Sequence, residues 1–397
     1  MTDAFDRPLL IAGGGIGGLS AAIALSRRGF AAHVLEAEAE FSESGAGIQI
    51  GPNGSHILRA WGLGEALDRL AAKPEAIVIG DGLSGRAPAT VPLGREAESR
   101  YGAPYYVAER RLLHRLLLEE AARSPAVTMS TGFRVTGLRD GGAGVVALSE
   151  DGREAEGRAV IGADGVHSRL RSSVTGETPF FAGRNAWRAT AATNVLGQET
   201  ASSVQLWLGP DAHLVHYCCG SDGPLNAVAV VTGEAASPGW GTAGDPGRLA
   251  AFFADWAEEP RRILAQFEGW MTWPLLALPP LEHWTDDTVA LIGAAAHPLM
   301  PFLASGAVMA TEDAAVLAAE TARSPGALPS AFRAYETRRM PRVRRVQRAS
   351  ERMGEIYHMD GAMRLARNLT LAALPAPLLL SRNDWLYGYR AEDQDRG

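Results

Sequence analysis

The clearest periodicities along the chain are those of a parallel sheet with covering helices. Residues 9–12 form an unbroken apolar run, which reads as a strand buried on both faces, and a glycine cluster separates it from the apolar helix pattern of residues 19–25. A second short strand, residues 32–35, ends in Glu36. The strand pattern returns at residues 159–161 and 289–295, and the latter leads through a glycine-bearing loop into a predicted helix over residues 307–320. Between these segments the texture changes. Residues 73–96 and 180–281 alternate apolar and polar positions, are richer in tryptophan, and carry turn clusters such as Gly220 to Pro224, which predicts antiparallel strands. From Ser330 onward the pattern is helical. Six arginines crowd this tail (Arg338, Arg339, Arg342, Arg344, Arg345, Arg348), interleaved with Glu336, Glu351 and Glu355, and predict a solvated helix face.

At 397 residues the chain exceeds what one core usually serves, so two or more interleaved domains are expected. The net charge of −7 argues against a nucleic-acid or membrane-surface protein, which would carry a basic excess. Cys218 and Cys219 are the only cysteines, too few for a disulfide framework or a four-cysteine zinc site, and no His/Cys/Asp cluster has metal-ligand spacing. No metal is expected. The first residues run into a strand without a basic or long apolar leader, and no window reaches 18 apolar residues, so a cytoplasmic protein with no membrane span is expected.

Chemistry enters with the glycines. Gly13, Gly15 and Gly18 stand between strand and helix, where they permit a tight bend, close approach of backbone to a pyrophosphate, and close helix-strand packing. Free N–H groups at the helix start face the phosphates, and Glu36, about 20 residues on, is placed to accept hydrogen bonds from a ribose. Four further stretches accompany this fingerprint: Glu43 to Gly54 with Gly47, Tyr106 to His114 with Arg110, Ile161 to Arg169 with Asp164, and Leu291 to Ala319 with Ala294, Gly306, Ala307 and Val308.

Together they resemble the motifs of the FAD-dependent aromatic hydroxylases, the single-component flavoprotein monooxygenases, from residue 9 almost to the C-terminus. The resemblance implies a Rossmann-like α/β FAD-binding domain, an inserted substrate domain of mixed or antiparallel sheet, and a C-terminal helical segment. The boundaries expected are 1–72, 102–176 and 282–345 for the flavin domain, 73–101 and 177–281 for the substrate domain, and 346–397 for the tail. It also implies that Gly47 passes the flavin ring, that Arg110 lies near the FAD phosphates or ribityl chain, that Asp164 touches both FAD and a transient NADH or NADPH, and that Gly306 to Val308 point a helix start at the flavin. At Ala294 the chain departs from the family's GDAAH pattern, whose aspartate bonds the ribityl chain.

Within the family the narrower likeness is to the 3-hydroxybenzoate 6-hydroxylases, with the salicylate and 6-hydroxynicotinate hydroxylases beside them. It is carried by residues 101–107, 208–217, 302–310 and the tail segments 354–361 and 384–389. It implies a small phenolic acid and O₂ as substrates, 3-hydroxybenzoate giving 2,5-dihydroxybenzoate as the leading reaction, and O₂ activated on the reduced flavin. His213 is the expected base for the phenol proton, because its ordinary pKa of about 6.5 suits that task. Tyr217 and Tyr105 are expected to orient the ring. Strand alternation puts His216 on the side away from His213 and Tyr217. His297 is expected to position backbone and the two cysteines to fill space, while Arg188 is expected to lie on the strand surface, with a contact to a substrate carboxylate as the alternative. Pro301 replaces a polar pocket residue of the nearest hydroxylases. A decarboxylating relative and a degenerate flavin-fold binding protein remain alternatives, and a homodimer is carried as an expectation.

Overall fold

The computed structural model describes residues 7–43, 47–142, 144–192, 202–220, 223–234 and 241–391. Its base is a five-stranded parallel sheet in the order Val289–Leu291, Val160–Gly162, Leu9–Ala12, Ala32–Leu35, Val127–Ser130. All four residues of Leu9–Ala12 are buried, as an unbroken apolar run in a doubly covered sheet requires. The helix Ile16–Ser26 covers one face and packs against the helix Gly306–Arg323. Small residues let these helices approach, since a Cβ on Gly17 would stand 3.4 Å from that of Ala310.

The predicted strand over 289–295 is shorter. Only Val289–Leu291 pairs as a strand, and after the extended Ile292 the chain turns at Gly293, φ +58, into the 3-10 turn Gly293–Ala295, its missing Cβ avoiding a 2.9 Å approach to Ala310. The chain breaks there because the neighbouring helix leaves no room for a side chain.

Above this layer lies an eight-stranded sheet in the order Thr242–Ala243, Met271–Ala277, Phe180–Ala191, Leu225–Thr232, Ala212–Cys218, Ser203–Gly209, Ala76–Asp81, Ala89–Pro92. It joins the two alternating stretches of sequence into one mixed sheet. Ser203–Gly209 runs parallel to Ala76–Asp81, which corrects the antiparallel strands read from the alternation and gives the mixed form of sheet that the resemblance allowed. Two more corrections concern helices: Gly94–Tyr101 takes the end of the 73–96 stretch, and Pro246–Ala251 with Glu258–Leu264 interrupt the 180–281 stretch. Leu249, Phe253, Trp256, Ile263 and Leu264 from this interruption cover Trp187, Trp207, Leu214 and Ala229 on the outer face of the sheet. Trp187 and Trp207 thus belong to a helix-covered face. Residues 44–46 of the flavin-loop motif and 221–222 of the predicted turn lie outside the described residues.

The C-terminal helices close the molecule. Leu328–Tyr357 spans 30 residues along the Gly306–Arg323 helix, followed by Gly361–Ala373, Ala376–Ser381 and Asp384–Tyr387. The arginine run is not a solvated face throughout. Arg339 is fully buried, 2.7 Å from Glu312 and 2.7 Å from Asp313, and Arg342 reaches Glu312 at 2.7 Å. The acids that meet them sit on the Gly306–Arg323 helix, so helix-helix packing takes the arginines in.

Candidate active site

The glycine turn lies at the end of the Leu9–Ala12 strand. Gly13 adopts φ +105, and a Cβ there would come within 2.5 Å of the Ala163 carbonyl oxygen, while one on Gly18 would sit 1.8 Å from Gly13 O. Side chains are excluded at both. Gly15 begins the helix Ile16–Ser26 without a side-chain cap, so its first N–H groups have no partner within the helix. Glu36 accepts from Gly14 N at 2.6 Å and from Glu38 N at 2.8 Å, and a carboxylate retains further acceptor positions. Arg110 opens the helix Arg110–Ala122 and donates from Nε to Glu43 at 2.7 Å, while Glu43 stands 3.8 Å from the Cβ position of Gly15. One turn further, His114 Nε2 lies 2.8 Å from Gly14 O. Gly15, Glu36 and Arg110 thus gather around one crease.

Asp164 sits beside Gly13. Its Oδ2 accepts from Arg169 N at 2.9 Å, whereas its Oδ1 is buried with no partner. Ala294 is exposed on its turn. The turn is held by Asp313, which accepts from Gly293 N at 2.9 Å and from His297 Nε2 at 2.6 Å. Burial alone would raise the Asp313 carboxyl, but His297 and Arg339 bring it down to about 2. Gly306, Ala307 and Val308 form the first turn of Gly306–Arg323, and Ser305 donates its hydroxyl to Leu303 O instead of capping that helix.

The inner face of the eight-stranded sheet looks toward this layer. Ala212, Leu214 and Cys218 pack into the outer core, and His216 pairs there with Trp207 at 3.3 Å, so His213 and Tyr217 turn inward together. His213 is 3% exposed, packed among Phe302, Tyr357 and His358, and its Nδ1 lies 2.9 Å from His358 Nε2. His358 Nδ1 in turn lies 3.2 Å from Thr232 Oγ1. Burial first, then His358 and Arg184, hold the His213 imidazole well below its ordinary pKa, and burial with Arg184 and Arg367 lowers His358 to about 3. Both rings are neutral at pH 7. Burial drives the phenols of Tyr217 and Tyr105 upward, and Tyr105 donates to Gln49 Oε1 at 2.6 Å. A Cβ on Gly47 would come within 2.6 Å of the Tyr217 ring, and Gly47 N donates to Asn226 Oδ1 at 2.8 Å. Gly47 is where the two layers touch. Both cysteine thiols are raised by burial, in keeping with space-filling roles.

A family model described as an FAD binding domain matches residues 6–350. The 3-hydroxybenzoate 6-hydroxylase of Polaromonas naphthalenivorans strain CJ2 is 34% identical, covering 97% of this chain and 96% of that protein. The 3-amino-4-hydroxybenzoate 2-monooxygenase PtmB3 of Streptomyces platensis is 36% identical over 97% of each. Among solved structures, Klebsiella pneumoniae HpxO complexed with FAD and uric acid matches at a TM-score of 0.85 and 26% identity, over 97% of this chain and 98% of that one. The chain belongs to the FAD-dependent aromatic monooxygenases.

FAD is the cofactor of this monooxygenase and NAD(P)H the reductant used in its family. The crease fits a dinucleotide on its own evidence: two helix starts without side-chain caps, a glycine backbone left bare, and an orphaned Asp164 oxygen. Among the described residues no cluster of three or more His, Cys, Asp or Glu is arranged to hold a metal, and no helix is long and apolar enough to cross a membrane. A crevice of about 460 Å³, lined by Arg95, Glu96, Ser99, Arg100, Pro377 and Leu380, shares no residue with the crease.

Several residues of the monooxygenase at this site were not singled out by sequence. Gln49 sits between Ile48 and Ile50, where alternation gave its only signal. His358 lies 145 positions from the ring it meets; it falls in the 354–361 segment that carries the family likeness, but nothing local ties it to His213. Arg188, expected on the surface, is half-buried and inward, because Trp187 and Ala189 take the outer face of its strand.

Proposed function

We propose that this monooxygenase hydroxylates 3-hydroxybenzoate para to its hydroxyl, forming 2,5-dihydroxybenzoate. The observation that carries the reading is the neutral, buried His213 imidazole on the same inward face as Tyr217, opposite the crease. A phenolate is a far better nucleophile toward activated oxygen than a phenol, so a base held neutral beside the ring is what the chemistry needs. In the tautomer with its proton on Nδ1, His213 donates to His358 and keeps the Nε2 lone pair for the phenol proton. Tyr105 and Tyr217 pack against the ring, with Gln49 holding the Tyr105 hydroxyl.

When bound, FAD would take up the reducing equivalents of NAD(P)H and supply the activation of O₂. Glu36 would take the adenosine ribose, the first turn after Gly15 the pyrophosphate, and Arg110 the adjoining phosphate or ribityl oxygens. Asp164 would offer its free oxygen to FAD and to the nicotinamide substrate. The first turn of Gly306–Arg323, with Ala307 and Val308, would bring its positive end to the ring, where negative charge gathers on reduction.

Relatives at 32–34% identity are 3-hydroxybenzoate 6-hydroxylases, which supports the choice of substrate. A panel of hydroxylated benzoates and nicotinates, scored for both NADH oxidation and hydroxylated product, tests it. The expected result is tight coupling with 3-hydroxybenzoate and no CO₂ release. Coupled turnover of 3-amino-4-hydroxybenzoate, salicylate with decarboxylation, or 6-hydroxynicotinate in its place overturns the assignment, and flavin binding without turnover of any of them overturns the enzyme reading.

A further inference from the structure

The inward face of the sheet carries a positive charge that no described residue neutralises. Arg188 projects from Phe180–Ala191 with its guanidinium carbon 5.3 Å from the centre of the Trp273 ring, and its Nε is buried without a partner. The charged or polar groups it senses are Arg110, Tyr217 and Glu43. Of these only Glu43 is an acid, and it already holds Arg110 at 2.7 Å. A half-buried guanidinium left in this state is costly unless an anion arrives to meet it. Arginine's planar fork matches a carboxylate with two parallel hydrogen bonds.

The sheet register says where that anion would lie. Arg188 pairs with Val228, and Val228 with Val215, so Arg188 stands level with the position between His213 and Tyr217, two strands away. Strand spacing and rise put its Cα about 12 Å from that of His213, a gap into which both side chains reach. A second inward arginine, Arg184, also has an unpartnered buried Nε, but it lies on the other side of His213, level with Thr232 and over the Phe302 ring at 5.1 Å. Arg188 is therefore the one on the side of Tyr217 and Gly47, where the sheet meets the crease.

We propose that Arg188 is the carboxylate anchor of this monooxygenase, taking the anionic group of the aromatic substrate while His213 takes the phenol, and so selecting phenolic acids over neutral phenols. The inference rests on the phenolic-acid reading of the site. It accounts for a charge that the fold otherwise leaves without a counter-ion. It also assigns the acid contact that Pro301, lacking a polar side chain, does not provide.

Binding to the FAD-loaded enzyme, followed by the flavin absorbance change, tests it with two acid/amide pairs: 3-hydroxybenzoate against 3-hydroxybenzamide, and benzoate against benzamide. Arg188→Gln is expected to weaken both acids about 10- to 100-fold, leave both amides unchanged, and leave FAD affinity unchanged. Arg188→Lys should recover part of the loss. Equal weakening of acids and amides would reduce Arg188 to a structural role, and loss of FAD affinity with the acid preference intact would reassign it to the cofactor; either result overturns the proposal. Arg184→Gln should leave the acid preference in place, and its loss there instead moves the anchor to Arg184 and equally overturns it. The benzoate pair needs no turnover. If Arg188 governs acid binding while the panel yields no 2,5-dihydroxybenzoate, the anchor stands and the substrate assignment alone fails.

Discussion

Ala294 stands exposed on the Gly293–Ala295 turn, at the position where the family resemblance implies an aspartate toward the ribityl chain. An exposed alanine there costs the fold nothing, and its consequence is confined to cofactor affinity. A charged hydrogen bond contributes about 1.5–3 kcal/mol, so Ala294→Asp is expected to tighten FAD binding about 10- to 150-fold in a titration of the apoprotein. An unchanged dissociation constant would show that the ribityl chain is held from elsewhere. His213 carries the opposite kind of information. Its folded pKa is depressed, by burial first and then by His358 and Arg184, so the neutral base persists as pH falls through about 6.5, where an ordinary imidazole would protonate. kcat/KM should therefore stay level across that value, and an acid limb centred on it would mean that His213 is not the buried base. His213→Gln should slow hydroxylation by about 100- to 10,000-fold, with recovery in alkaline buffer as the phenol ionises unaided.

The elements differ in how openly the sequence announces them. The Leu9–Ala12 strand, its glycine turn and the Ala32–Leu35 strand were legible because their signals are local: an unbroken apolar run, glycines at fixed spacing, and an acid at the next strand's end. The helices Pro246–Ala251 and Glu258–Leu264 were read as strand because their short apolar runs fit either period. The parallel pairing of Ser203–Gly209 with Ala76–Asp81 joins segments more than a hundred residues apart, and no local pattern encodes it. The arginine run was misread for the same reason, since its acids lie on another helix. That cluster gives the element-scale prediction. Arg339→Ala would leave Glu312 and Asp313 buried with reduced compensation, at a cost of about 3–5 kcal/mol in urea unfolding. A cost below about 1 kcal/mol, the range of surface pairs, would mean that water reaches the cluster.

At the scale of the whole molecule, the site exists only where three regions meet. The parallel-sheet layer supplies the crease, the eight-stranded sheet supplies His213, Tyr217 and Arg188, and the C-terminal helical segment supplies His358 and the Tyr387 ring that packs on Tyr105 at 5.9 Å. The crease was readable from motifs because its contacts follow the backbone of single turns. The base and its histidine partner were only half readable, because the sequence names His213 by family likeness while His358 reaches it through tertiary packing. Enclosure by all three regions is what buries the neutral His213 imidazole and half-buries the Arg188 guanidinium. Anaerobic mixing of the FAD-loaded protein with NADH, with and without 3-hydroxybenzoate, followed by admission of O₂, tests the central claim most directly. The account predicts that the acid accelerates bleaching of the flavin band and that O₂ then yields one 2,5-dihydroxybenzoate per flavin reoxidised. Bleaching indifferent to the acid, with peroxide as the sole oxygen product, would contradict it.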